Sequence, residues 1–174
     1  MSRARLSVTG RVNAPAAAAY GVIADYRHGH PQIVPPRAFS DLIVEGGPGV
    51  GEGTQIRFTL ELLGQKRVSR ARVSEPEPGR VLMETELPPG SVVSTFTVDP
   101  VSATACDVTI ATDLPTGGGM LGRVVGWMAV RLLTPLYHEE IARLERVARG
   151  ESLDTGAPTV PAAAGSGARR STTA

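Results

Sequence analysis

The densest run of groups able to move a proton is Asp25-Tyr26-Arg27-His28-Gly29-His30. A carboxylate, a phenol and two imidazoles so close together can support general acid and base chemistry on a bound molecule. The same run also reads as the polar end of a helix, with Arg27 and His28 favouring the dipole and Asp25 capping or pairing locally. Tyr26, His28 and His30 enter as candidate catalytic groups. Arg67 joins them as a cation able to anchor a ligand carboxylate or phenolate, although near a hairpin turn it can also snorkel outward. His28 and His30 alternate as strand ligands to a metal would, but zinc needs a third protein ligand and His138 sits far along the chain. No metal site and no cofactor are expected.

Other chemistries find less support. The single cysteine, Cys106, lies in a strand-like run with no neighbouring histidine to activate it, so it reads as a small core residue. Gly46 to Gly53 is rich in glycine, but it lacks the Gly-Lys-Ser/Thr ending and the GxGxxG spacing of phosphate-binding loops. A hairpin loop, able to act as a lid, is the better reading. Lysine and arginine total 18 against 17 aspartate and glutamate, and aromatics make up 4%, which leaves neither a basic field nor stacking platforms for nucleic acid. The N-terminus has positive charge without an apolar run behind it, so a cytoplasmic protein is expected.

The elements that position these groups are read from periodicity. A short strand over Arg5 to Asn13 is followed by Pro15 and four alanines, a favourable start for a helix. Ala19, Val22, Ile23 and Tyr26 form its buried side, and His28-Gly29-His30-Pro31 breaks it before a second helical turn that ends at Pro35-Pro36. From Phe39 the period changes to two. Thr54 to Leu62 alternates apolar and polar residues, and Gly- and Pro-rich turns separate further strands over 66–74, 80–87, 92–98 and 105–113. An antiparallel meander follows. Met120 to Arg149 then forms a long helix, with Leu121, Val124, Val125, Met128 and Leu132 on one arc and Tyr137, Ile141, Leu144 and Val147 on another. A kink is expected at Pro135, with the two halves burying different faces. Residues 150–174 are mostly Gly, Ala, Pro, Ser and Thr with a few charges, and read as a disordered tail behind a domain spanning 3–149.

This order of strand, two helices, six strands and long helix resembles the START-like, polyketide cyclase/dehydrase (SRPBCC, helix-grip) superfamily. The likeness rests on Val8 to Pro15, Val22-Ile23-Ala24-Asp25-Tyr26, Gly51-Glu52-Gly53-Thr54, Val73-Ser74-Glu75-Pro76 with Gly79-Arg80-Val81-Leu82-Met83, and Phe96-Thr97-Val98-Asp99-Pro100. It implies an α+β fold in which a curved antiparallel sheet of about seven strands grips the C-terminal helix around an apolar cavity. Where many relatives carry a tryptophan and a proline after the first helix, this chain has His28-Gly29-His30-Pro31.

Within that frame, alternation points Ile56, Phe58 and Leu60, then Arg67, Ser69, Ala71 and Val73, into the cavity. Val81, Met83 and Thr85, then Ser94, Phe96 and Val98, then Cys106, Val108 and Ile110 should follow, with Met128 and Leu132 facing them from the helix. Glu84 and Glu86 fall outside, in cross-strand pairs with Arg70 and Arg72. Small residues at 69, 71, 85 and 94 leave room for a ligand. Two functions remain open. The favoured one is non-catalytic binding of a small hydrophobic molecule such as a lipid, polyketide or isoprenoid, without stable membrane insertion. The alternative is a cyclase/dehydratase-like enzyme using Tyr26, Arg67 or the histidines.

Overall fold

The computed structural model describes residues 2–87 and 92–155. It contains β1 (Ser2–Val12), α1 (Ala16–Ala24), α2 (His30–Ile33), β2 (Phe39–Gly46), β3 (Gln55–Leu62), β4 (Gln65–Glu77), β5 (Val81–Leu87), β6 (Val93–Ser102), β7 (Ala105–Thr116) and α3 (Gly119–Ala148). The strands form one antiparallel sheet in the order β1-β7-β6-β5-β4-β3-β2. Chain reversals follow from local chemistry. At the β3–β4 hairpin, Leu63 and Gly64 both take positive φ, at 52° and 74°, the handedness that matches strand twist. The sheet curves around α3 in the helix-grip arrangement.

The core lies between the concave face, α1 and the C-terminal half of α3. Ile56, Val73, Leu82, Val98 and Val108 meet Leu136 and Leu144 there, all essentially inaccessible to water. Alternation places the inner residues of β3, β4, β6 and β7 as expected. It fails on β5. Antiparallel partners share a face, and Val73 pairs with Glu84, Ala71 with Glu86 and Leu82 with Phe96. Leu82, Glu84 and Glu86 therefore point inward, while Val81, Met83 and Thr85 take the outer face. The reason is register, which belongs to the strand pair: β4 carries an irregularity between Ser74 and Glu77 just before the turn into β5.

The long helix departs from expectation as well. It runs without interruption from Gly119 to Ala148, through the exposed Pro135. One stripe faces the sheet along its length: Gly122, Gly126, Val130, Leu133, Tyr137, Ile141 and Leu144 recur at three- and four-residue steps. The two halves do not bury different faces. Leu121, Val124, Val125 and Met128, expected inside, are exposed. Backbone proximity explains this: a β-carbon at Gly126 would sit 3.0 Å from the Ala4 Cβ and 3.3 Å from the Thr116 Cγ2, so only glycine lets the helix lie this close to β1 and β7. Beyond α3, Leu153 N–H donates to Gln32 Oε1, and Arg143 donates to the carbonyls of Gln32 and Asp154.

Candidate functional site: an acidic cavity under the C-terminal helix

A cavity of about 120 Å³ opens between the sheet and α3. Phe58, Leu60, Ser69, Ala71, Ser94 and Phe96 line it, as alternation predicts. Several other expected residues do not. Ile56 and Val108 are buried in the core without reaching the cavity, Met83 and Thr85 lie on the other face of β5, and Met128 and Leu132 lie off the cavity side of α3. In their place α3 contributes Leu133, Tyr137 and Glu140, while Val34 and Phe39 close the side toward β2.

The polar run at 25–30 splits in two. Asp25 Oδ1 accepts from the backbone N–H groups of Arg27 and His28, at 3.0 and 3.1 Å, and turns the chain out of α1. At Gly29 a β-carbon would lie 2.6 Å from the Val22 carbonyl oxygen, so a glycine lets the chain double back tightly against α1. His30 then re-enters the core. Its spacing of four from Tyr26 brings the two rings together, stacked with centroids 4.5 Å apart. Phe96 meets the imidazole edge-on at 5.5 Å. His28 is left outside, 81% exposed, with Nδ1 3.5 Å from Asp25. Of the two histidines, only His30 reaches the cavity.

Three carboxylates converge on the enclosed site. Tyr26 donates to Glu84 Oε1 at 2.6 Å, and His30 Nε2 lies 3.5 Å from the same oxygen. His30 Nδ1 is 2.7 Å from the Ile23 carbonyl, an acceptor only, so the Nδ1 proton is fixed there and Nε2 is the nitrogen facing Glu84. Burial, reinforced by Glu84, holds the Tyr26 phenol well above its ordinary range. At the mouth, Arg67 is 60% exposed and pairs with Glu86 Oε1, which Ser69 also reaches at 2.8 Å. Glu86 Oε2 is buried and has no partner among the described residues. Arg67 therefore projects toward solvent while closing an ion pair at the cavity rim.

The third carboxylate is Glu140. It is 3% exposed, lines the cavity from α3, and makes no hydrogen bond or ion pair among the described residues. Burial first, and the charge of Glu84 second, push its carboxyl well above the usual range. That environment favours the protonated, neutral form, which is able to donate. Beside it, Tyr137 shares a 2.6 Å hydrogen bond with Thr112, which shares another of 2.9 Å with Ser94. Burial raises the Tyr137 phenol to about 12.

Sequence reasoning missed Glu84, Glu86, Glu140, Tyr137 and Thr112 as lining groups. A signal did exist for Glu140: it lies three residues after Tyr137 and four before Leu144, on the buried arc, where a carboxylate is out of place in an apolar stripe. No cluster of three or more candidate metal ligands occurs among the described residues, and no described helix is long and apolar enough to cross a membrane.

Comparison with known proteins places this geometry. A family model described as polyketide cyclase/dehydrase and lipid transport matches residues 3–149. Curated proteins give no match. Among solved structures, the KanY protein is 26% identical, with a TM-score of 0.72 over 86% of this chain and 100% of that one. The ZhuI aromatase/cyclase from Streptomyces sp. R1128 is 16% identical, with a TM-score of 0.69 over 85% and 94%. A START superfamily protein from Mycobacterium smegmatis is 18% identical, with a TM-score of 0.67 over 83% and 99%. The last two are likenesses of fold. The match across nearly the whole domain settles the family: the chain belongs to the polyketide cyclase/dehydrase and lipid-transport family, and is a START-like member of the SRPBCC superfamily.

Proposed function

We propose that the cavity binds a hydrophobic ligand bearing carbonyl or hydroxyl groups, of the polyketide type, and acts on it by proton transfer as a cyclase/dehydratase. The family supports the ligand class. The observation that carries the chemistry is Glu140, a buried acid without a protein partner, set in the same enclosed space as Glu84 and His30. A carrier needs an apolar lining and one polar anchor. This lining holds His30, Arg67, Glu84, Glu86, Tyr137 and Glu140.

The roles follow from position. The His30–Glu84 pair takes a proton from the carbon next to a ligand carbonyl, with Tyr26 holding Glu84 in place. Glu140 gives its proton to the oxygen that gains charge. In a cyclisation that oxygen is the attacked carbonyl, and a C–C bond forms. In a dehydration it is the departing hydroxyl, which leaves as water while the C=C bond forms. Both steps return one proton to solvent and take one back, so the protein is unchanged. The volume is close to the ~150 Å³ that accommodates benzene in an engineered cavity, so about one ring enters at a time and the rest of the ligand lies past Arg67.

The test is the dehydration of an aryl β-hydroxy ketone, followed by enone absorbance. The protein should accelerate it over buffer, and Glu140→Gln should lower the rate by about 10²–10⁴-fold while the ketone still binds. A bound ketone that turns over no faster than in buffer would contradict the enzymatic reading and leave the carrier.

A further inference from the structure

We propose that the N-terminal half of α3 is a peripheral docking surface for anionic lipid membranes. The half from Gly119 to Leu133 is about 20 Å long and touches the rest of the protein along a narrow stripe of Gly122, Gly126, Ala129, Val130 and Leu133. Its large apolar side chains point away from that stripe: Met120 is 84% exposed, Leu121 77% and Trp127 64%, with Val124, Val125 and Met128 beside them. A soluble domain rarely leaves so many neighbouring large apolar side chains in water unless something covers them.

Charge selects the occupant. From Leu114 to His138 the sequence has no aspartate or glutamate. Arg123 and Arg131 stand among the apolar side chains, and Arg5 of β1 borders the shallow groove that holds Arg123 and Trp127. None of these three makes an ion pair among the described residues. A second copy of the chain would bring arginines against arginines, with only Asp113, across from Arg5 on β7, to offset them. An anionic surface meets them all.

Shape separates lipid from an acidic protein. At about 100° per residue the exposed side chains from Met120 to Arg131 spread over a little more than half of the helix circumference, forming a convex ridge with only a shallow groove at its edge. A rigid partner covers one side of such a ridge. A fluid headgroup layer covers every side, with apolar side chains below and arginines reaching up to phosphates. Trp127 has the amphipathic ring that sits at that depth. The cavity-lining Leu133 follows directly along the same helix, so a hydrophobic ligand drawn from a bilayer has a short path to the cavity.

Trp127 is the only tryptophan, so its fluorescence reports this surface alone. Full-length protein is titrated with phosphatidylcholine vesicles, with and without phosphatidylglycerol. Emission should move to shorter wavelength with the anionic vesicles, with a partition coefficient about tenfold higher than for neutral ones, falling as salt is added. Arg123→Glu combined with Arg131→Glu should remove the anionic preference, and Leu121→Gln should weaken binding to both. All three side chains are exposed, and circular dichroism confirms that the variants are folded. Unchanged emission with anionic vesicles at low salt would overturn the proposal. So would a lipid-free dimer with Trp127 already shielded, or a shift produced by soluble polyglutamate and not by vesicles.

Discussion

The two halves of α3 follow the same helical period and do opposite things with it. From Leu136 to Leu144 the stripe facing the sheet carries Leu136, Tyr137, Glu140, Ile141 and Leu144, and all are buried. From Gly119 to Met128 the stripe facing the sheet carries glycines, and the bulky side chains lie outside. In the first case side chains fill the space between helix and sheet; in the second the backbones close it. A helix held by packed side chains can enclose a cavity and desolvate an acid. One held by glycine contact cannot, but it leaves its apolar surface available. Hydrophobicity alone does not distinguish these outcomes.

Substitutions in the two halves should separate accordingly. The largest effect is expected at Leu144, where Leu144→Ala leaves a void in the core and should cost about 2–5 kcal/mol in chemical denaturation. A cost under about 1 kcal/mol would mean that this half is not the anchoring one. Gly126→Val comes next, at about 1–3 kcal/mol, because the added atoms press on Ala4 and Thr116. A neutral result would show that the N-terminal half is free to lift away from β1. Leu121→Ala on the outer face should change stability by no more than ~0.5 kcal/mol.

The carboxyl of Glu140 adds a pH signature to the buried half. Its folded pKa is raised above the ordinary 4.5, so between 4.5 and the folded value the native state holds a proton that the unfolded chain has lost. Stability contributed at this site is therefore present below pH 4.5 and declines as pH rises through that window. Glu140→Gln removes the penalty, so the variant should melt a few degrees above wild type at pH 7, with the gap closing toward pH 4. A gap that does not change with pH would mean that the carboxyl titrates normally. The smallest stability change is expected at Ala71, which lines the cavity. Ala71→Leu should scarcely move the melting temperature, because the new side chain enters open space, and it should block binding of a fluorescent apolar dye. Strong destabilisation with dye binding intact would place Ala71 in packed core.

The fold was legible in the sequence for particular reasons. Ile56 to Leu62 alternates cleanly, and the Leu63-Gly64, Pro78-Gly79 and Gly117-Gly118 breaks punctuate the chain where turns occur. Much of the cavity wall was legible from the same alternation. The acidic groups were not. The phase of β5 depends on pairing with β4 across an irregularity, and Leu82, Glu84 and Glu86 look like the wrong half of an alternating strand until that pairing is known. On α3 the contact stripe begins with Gly122 and Gly126, residues with no hydrophobic signal, so apolar periodicity pointed to the opposite arc. The run at 25–30 stood out by composition, but its division into buried Tyr26 and His30 and exposed His28 depends on a close backbone approach at Gly29.

The central claim is that Glu140 stays a neutral acid at physiological pH within a ligand-binding cavity. Carbon-13 NMR of the glutamate side-chain carboxyls, with Glu140 assigned through Glu140→Gln, measures this directly. The Glu140 resonance should keep the chemical shift of a protonated carboxyl well above pH 4.5, where the other carboxyls have titrated, and should move when a hydrophobic ketone is added. A resonance that titrates near the ordinary 4.5 and ignores the ketone would contradict the account.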